Sequence, residues 1–400
     1  MPRDPAARTC FWLRDDRRRS LSDWSDTDRR LMGLALRAAR RGRGRTHPNP
    51  RVGAVIARRG QPRGIGWHRR FGAPHAEIEA LQQARGDTLY VTLEPCAHEG
   101  KTPPCGPAIV AAGVERVVVA TLDPDRRMCG RGVRLLEQSG IRVEVGLFQE
   151  EARRINRPYF VERLRGRAHL TLKLAVSADG RLAVGEGLSQ WISGEPARRL
   201  VRRWRRRADA VVVGVGTVLA DDPLLTTHSG RKRQPVRIIL DPLLETPPAA
   251  RVVGPEAPTI LVATPAAPAG RRDGLESAGA RIWDLPATPD GLVDLRSFLT
   301  RCAETGLFDL FCEGGRQLAT SLVREDCLDL LILVQAPRLL GGDWSWLGET
   351  GITDLAGAKQ LSRPAARRVG DDLITSWPVA ATEQLVQDWQ PGRRRVHRSR

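Results

Sequence analysis

Between residues 28 and 41, Leu31, Met32, Leu34, Ala35, Ala38 and Ala39 recur at helical spacing with arginines on the other face, so the pattern predicts a helix turned towards a core. Gly42 and Gly44 end it. Pro48-Asn49-Pro50 then imposes an extended loop before the apolar strand 52–57, and 64–68 reads as its partner across a short turn at Gly60. A helix follows over 76–84 with His75 and Glu77 at its first turn, then a strand over 88–93. Cys105 opens the next helix and Gly113 stops it, before a β-branched strand over 114–122 and a further helix and strand over 135–140 and 141–145. This alternation predicts a sheet packed between helices.

The second half begins with 149–167, charged and helical in pattern, which reads as a joint between domains. Residues 169–176 alternate polar and apolar as a strand does, and further strands are expected at 210–214, 236–240, 259–263, 308–313 and 328–334, with helices between several of them. The strand 308–313 runs into Gly314 and Gly315 and then a helix over 316–323, a turn at which a phosphate can approach backbone amides.

Four hundred residues suggest two domains at about 150 residues per domain. The formal net charge of +18 fits nucleic acid, a membrane surface or an anionic small molecule equally well. Only four of the 64 basic residues are lysines, so most of the charge is a preference for arginine. Lys101 and Lys173 lie inside motifs and are candidates for positions where a planar guanidinium would not serve. Seven scattered cysteines lack the spacing of a disulfide framework, 1–27 lack the apolar centre of a signal peptide, and no run approaches the ~18 apolar residues of a membrane span. A cytoplasmic chain without membrane attachment is expected.

Chemistry enters with His75, Cys96 and Cys105, one nitrogen and two thiolates, which suit Zn²⁺ with a fourth position left for water. Glu77 is placed to carry protons between that water and a leaving amine. The pattern is that of zinc nucleobase deaminases, except that eight residues separate the two cysteines. A structural zinc site or a reduced cysteine pair remains the alternative. Asn49, between two prolines, offers a donor and an acceptor to a base edge, or closes a turn.

The run Thr46-His47-Pro48-Asn49-Pro50-Arg51-Val52-Gly53 and the motif Thr-Leu-Glu-Pro-Cys-x-His-x-Gly-x-Thr-Pro-Pro-Cys ending at Cys105 resemble the deaminase of the bifunctional riboflavin-biosynthesis deaminase/reductase family. The stretch from His169 to Arg181, with Ser189-Gln190-Trp191-Ile192, Asp221-Asp222-Pro223, Glu313-Gly314-Gly315 and Ala336-Pro337-Arg338, is similar to its reductase half, so the resemblance covers about 28–378. It implies an α/β protein with an N-terminal cytidine-deaminase-like α/β/α sandwich and a C-terminal dihydrofolate-reductase-like mixed sheet with flanking helices. The expected division is a basic extension over 1–27, a zinc deaminase domain over 28–148, a joint over 149–167, an NADPH-dependent reductase domain over 168–380 and a basic tail over 381–400.

The implied activity is deamination of a phosphoribosylated diaminopyrimidinone, then reduction of its ribosyl group to ribityl. By resemblance Asn49, His68, His98, Lys101 and Asp123 line the first substrate site. Lys173, Ser189, Arg205, Leu225 and Glu313 contact the second substrate, and Ala175, Trp191, Thr217, Asp221 and Gly315 contact NADPH. Three departures stand out: Asp125 where relatives carry asparagine, His228 where many carry arginine, and Pro242 where some carry serine. A homo-oligomer without nucleic-acid partners is expected. The rivals are a tRNA or other nucleic-acid deaminase, which leaves the second half unexplained, and a non-catalytic zinc-stabilised nucleic-acid-binding protein, which gives Glu77 no task.

Overall fold

The computed structural model describes residues 23–83, 87–97, 103–183, 185, 192–227 and 234–390. The chain forms two compact units, one running to Leu164 and resuming at Gln384, the other Arg165–Glu383.

The first unit contains α1 (Asp26–Ala39), β1 (Gly53–Arg58), β2 (Gln61–Trp67), α2 (Ala76–Gln83), β3 (Thr88–Val91), α3 (Cys105–Ala111), β4 (Arg116–Val119), α4 (Arg131–Gln138), β5 (Arg142–Val145), α5 (Gln149–Ile155) and α6 (Arg157–Arg165), the last belonging to it through Leu164. The sheet order is β2-β1-β3-β4-β5, with β1 antiparallel to both neighbours and β3, β4 and β5 parallel. Alternate strand residues point to opposite faces. Ala54, Ile56, Leu89 and Val117 therefore meet Ala80, Ile109 and Leu136, while Val55, Tyr90 and Val118 meet Leu31, Met32, Ala35 and Ala152. That is the expected three-layer sandwich.

Two close approaches set the site's elements. A Cβ on Gly66 would lie 2.0 Å from the Ala76 carbonyl oxygen, so glycine lets the start of α2 rest on β2. A Cβ on Gly132 would lie 1.9 Å from the Pro95 oxygen, which seats the loop after β3 on α4. On the sheet's other face, the Asp28 carboxylate accepts from Tyr90 Oη and Arg116 Nη1, both at 2.7 Å, and Arg116 also binds Glu144. Burial alone would raise the Asp28 pKa, but hydrogen bonds from Arg116, Tyr90 and Ser25 bring it down to about 2.

The second unit contains β6 (His169–Val176), α7 (Glu195–Arg205), β7 (Ala210–Gly214), α8 (Val215–Asp221), β8 (Val236–Leu240), β9 (Thr259–Ala263), α9 (Ala269–Ser277), β10 (Arg281–Asp284), α10 (Leu295–Glu304), β11 (Asp309–Cys312), α11 (Arg316–Arg324), β12 (Leu330–Gln335), β13 (Ala365–Val369) and β14 (Asp372–Pro378). Its sheet runs β10-β9-β8-β7-β11-β6-β12-β14-β13, parallel from β10 to β12 and antiparallel at β14 and β13. Asp329 pins β6 by accepting from the Leu170 N–H, the Arg167 guanidinium and Thr382 Oγ1. Against burial, Arg167 and His169 keep its carboxyl at about 2.

Two stretches differ from expectation. Residues 149–164, read as a joint, pack in the first unit, where Phe160 is fully buried beside Leu93. Part of the expected tail forms α12 (Ala380–Gln387), and Val386 and Trp389 join the same cluster. Leu385, Val386 and Trp389 supply an apolar face that the arginines beyond them obscured in the sequence. Arg153 secures this segment by donating to the Gln387 and Val386 carbonyl oxygens. Among the described residues, no helix is long and apolar enough to cross a membrane.

Candidate active sites

In the first unit, the loop after β3 and the starts of α2 and α3 bring the proposed ligands together. The donor atoms of His75, Cys96 and Cys105 all lie within 4.8 Å of one another. Cys96 Sγ is 3.3 Å from His75 Nδ1 and 3.3 Å from Cys105 Sγ. Each sulfur accepts a hydrogen bond from the other cysteine's backbone N–H at 3.1 Å, and burial pushes the Cys105 thiol up. Hydrogen bonds from Cys105 and His75 pull the Cys96 thiol down to about 4 against its burial. One imidazole and two paired sulfurs, with amides directed at the sulfurs, fit a zinc ion. Glu77 Oε1 lies 3.2 Å from Cys105 Sγ, and burial pushes the Glu77 carboxyl up.

Beside this set, His68 Nδ1 is 3.1 Å from the Pro74 carbonyl oxygen and its Nε2 is 3.1 Å from Asn49 Nδ2. A carbonyl only accepts, so Nδ1 carries the proton and Nε2 accepts from Asn49. Burial lowers the His68 pKa, consistent with a neutral ring. The Asn49 carbonyl oxygen is thereby oriented by its own amide. The His68 and His75 rings meet edge-on at 5.9 Å.

Asp123, after β4, is buried, and its carboxyl is pushed up to about 7 by burial and the nearby Glu94. Glu94 was not among the residues expected from sequence. Its carboxylate accepts from the N–H groups of Asp123, Gly130 and Gly132 at 3.1, 3.0 and 2.8 Å, so it ties the loop bearing Cys96 to the loop bearing Asp123. The clue was an acidic residue directly after a buried strand. The departure at Asp125 is balanced by Arg127 at 2.6 Å and Arg163 at 3.2 Å.

In the second unit, β7 leads to β8 on one side while β11 leads through α11 to β12 on the other. Adjacent parallel strands whose connections diverge leave a crevice at their carboxyl ends, where ligands of such sheets bind. Gly214 ends β7 and Gly216 and Thr217 follow it, while Glu313, Gly314 and Gly315 follow β11. A Cβ built on Gly214, Gly216 or Gly315 meets no atom within 4 Å, and Gly315 precedes α11 at the N-cap position with no side-chain cap. Exposed amides at a helix start fit a dinucleotide phosphate. Thr217 and Asp221 lie on α8, and Ala175 lies on β6 paired with Val334.

Next to these glycines, Arg205 Nε donates to Glu313 Oε1 at 2.5 Å, Lys173 Nζ is 3.7 Å from Glu313 Oε2, and Arg205 Nη1 donates to the Thr226 carbonyl oxygen at 3.2 Å. Against burial, Arg205 and Lys173 keep Glu313 ionised, while burial lowers the Lys173 pKa. Leu225 is buried, in a left-handed turn with φ 52°. His98, Lys101, Ser189, Trp191 and His228 lie outside the described residues.

A cytidine-deaminase-like sandwich with this donor set, followed by a dihydrofolate-reductase-like sheet with an open glycine crevice, defines a bifunctional zinc deaminase and nicotinamide-dependent reductase. Residues 25–121 match the family described as "Cytidine and deoxycytidylate deaminase zinc-binding region", and residues 168–374 match "RibD C-terminal domain". The riboflavin biosynthesis protein RibD of Aquifex aeolicus is 41% identical over 355 residues, 87% of this chain and 98% of that protein. RibD of Escherichia coli is 38% identical over 86% of this chain and 98% of its own length. Acinetobacter baumannii RibD superposes with a TM-score of 0.79 at 34% identity, covering 90% of this chain and 100% of that one. The diaminohydroxyphosphoribosylaminopyrimidine deaminase/5-amino-6-(5-phosphoribosylamino)uracil reductase of Thermotoga maritima gives a TM-score of 0.75 at 30% identity, covering 88% and 99%. The chain belongs to the RibD family of riboflavin biosynthesis proteins.

Proposed function

We propose the following division of labour for this bifunctional enzyme of riboflavin biosynthesis. The first unit hydrolytically deaminates 2,5-diamino-6-(5-phosphoribosylamino)pyrimidin-4(3H)-one. The second reduces the ribosyl group of 5-amino-6-(5-phosphoribosylamino)uracil to ribityl with NADPH. The observation that carries the first assignment is the convergence of His75, Cys96 and Cys105 with the Glu77 carboxylate against them.

His75, Cys96 and Cys105 would hold zinc, which supplies the Lewis acidity that makes water a nucleophile near neutral pH. Glu77 takes the proton from the attacking water and delivers it towards the departing amine, which leaves as ammonia. Asn49, oriented by His68, and Asp123 hold the pyrimidine edge, and by resemblance His98 and Lys101 contact the same substrate. In the second unit, Ala175, Trp191, Thr217, Asp221 and Gly315 would hold NADPH, which supplies a hydride. Lys173, Arg205, Leu225 and Glu313 orient the sugar beside that crevice, and by resemblance Ser189 contacts the same substrate. Glu313 fixes both cationic heads, so their charge faces the polar end of the substrate in one arrangement.

We place the enzyme in the cytosol, where thiols such as Cys96 and Cys105 stay reduced, and as a homo-oligomer, for which exposed Leu339, Leu355 and Leu373 supply apolar surface. Sedimentation equilibrium returning a monomer removes the oligomer from this reading. The functional test is incubation of purified protein with the diamino substrate, with and without NADPH, and identification of products by mass. Deaminated product without NADPH and the ribityl product with it are expected. Neither product, or base-specific turnover of RNA instead, overturns the proposal.

A further inference from the structure

The segment Asn156-Arg157-Pro158-Tyr159-Phe160 lies outside the residues that match the deaminase family, yet it reaches both loops that carry the proposed pyrimidine contacts. Asn156, 2% exposed at the end of α5, accepts from the Arg51 backbone N–H at 2.8 Å through Oδ1 and donates from Nδ2 to the Arg51 carbonyl oxygen at 2.9 Å. One side-chain amide thus fixes the backbone at two points, two residues beyond Asn49. Three residues after Asn156, Tyr159 Oη donates to Asp123 Oδ1 at 2.9 Å, and the Asp125 N–H donates to the same oxygen at 2.8 Å. Among the described residues Oδ2 takes no hydrogen bond, so the carboxylate is held by one oxygen with the other left for a ligand. Tyr159 and Phe160 are themselves buried against Leu93 and Val386, which makes the brace rigid.

We infer that Asn156 and Tyr159 are positioning residues of the deaminase, which hold the Asn49 loop and Asp123 from a helical segment outside the zinc motif. The inference rests on reading Asn49 and Asp123 as substrate contacts. Neither brace touches the zinc ligands or Glu77 through any hydrogen bond described above, so the effect falls on substrate binding.

The test is steady-state deamination by the intact protein, with NADPH-dependent reduction measured on the same preparation. Asn156→Ala should raise the deaminase KM about tenfold and Tyr159→Phe about threefold, with kcat changed less than about twofold and the reductase unaffected. Asn156→Asp retains the acceptor for the Arg51 N–H and loses the donor to its carbonyl. It should give an intermediate KM, and it serves as the test should Asn156→Ala fail to fold. In an Asn49→Ala background, Asn156→Ala should add no further change, which a merely structural role would not produce. A wild-type deaminase KM in the Asn156 variants and Tyr159→Phe, while Asn49→Ala and Asp123→Asn raise it, overturns the inference alone. A wild-type KM in Asn49→Ala and Asp123→Asn overturns the substrate reading beneath it. Parallel losses in both activities, or additive effects with Asn49→Ala, also overturn the inference by marking a general loss of stability.

Discussion

The two sites of this chain are built on opposite principles. The proposed deaminase site is close in sequence: His75, Cys96 and Cys105 converge, with Glu77, the proposed proton carrier, two residues beyond the histidine. The proposed reductase site is assembled from afar, with Lys173 on β6, Arg205 at the end of α7 and Glu313 beyond β11. Binding a metal demands particular donor atoms, so their spacing is written in the residue types. Orienting a cofactor and sugar demands an open backbone and fixed charges, which only strand order brings together.

The sharpest way to break this contrast is to remove one donor atom. Cys96→Ala should abolish stoichiometric zinc and measurable deamination while leaving NADPH-dependent reduction of pre-deaminated substrate intact. Elemental analysis that finds full zinc in this variant removes Cys96 from the ligand set. A smaller cut within the same site is Glu77→Gln, nearly isosteric but unable to take a proton. Deamination should fall at least about 10²-fold with zinc retained. Near-wild-type deamination would assign the chemistry to another base.

Acid unfolding compares the units rather than the sites. Asp28 and Asp329 both have folded pKa values of about 2, below the ~3.9 of an unfolded aspartate. Their contributions are therefore present above about pH 4 and disappear as pH falls towards 2, at about 2 kcal/mol each. Asp28→Asn should flatten that dependence in the first unit and Asp329→Asn in the second, as read by unfolding monitored across this pH range. An unchanged acid limb in either variant would mean that its carboxylate does not carry the linkage.

The smallest expected effect probes the open crevice. Gly315→Val adds a side chain where the structure has room, so folding should be preserved while the KM for NADPH rises about tenfold. Deamination should be untouched. An unaltered NADPH KM would move the phosphate away from α11.

The sequence made the first unit readable because its buried strands and zinc motif are local signals. In the second unit the central strands Ala210–Gly214, Val236–Leu240 and Thr259–Ala263 fall where their apolar runs predict, since strands covered on both faces are continuously apolar. The strands Ala365–Val369 and Asp372–Pro378 were not anticipated. The first is almost wholly exposed and arginine-bearing at the sheet edge, and it has no apolar face to announce it. Asn156 was illegible as a site support, and Glu94 legible only as an acidic residue after a buried strand, for a different reason. Their partners are backbone groups far away in sequence, and no spacing rule records such pairing.

The cluster uniting Phe160 with Val386 and Trp389 also bears on how the molecule is made. Residues 165–383 are, in topological terms, an insertion within the first unit. During synthesis, domains ordinarily fold as they emerge, amino-terminal first. Here the deaminase scaffold emerges early, and the seat for Trp389 is filled only after residues 165–383 have been translated. The unit that leaves the ribosome first is thus the one whose last packing residues are translated after the other unit.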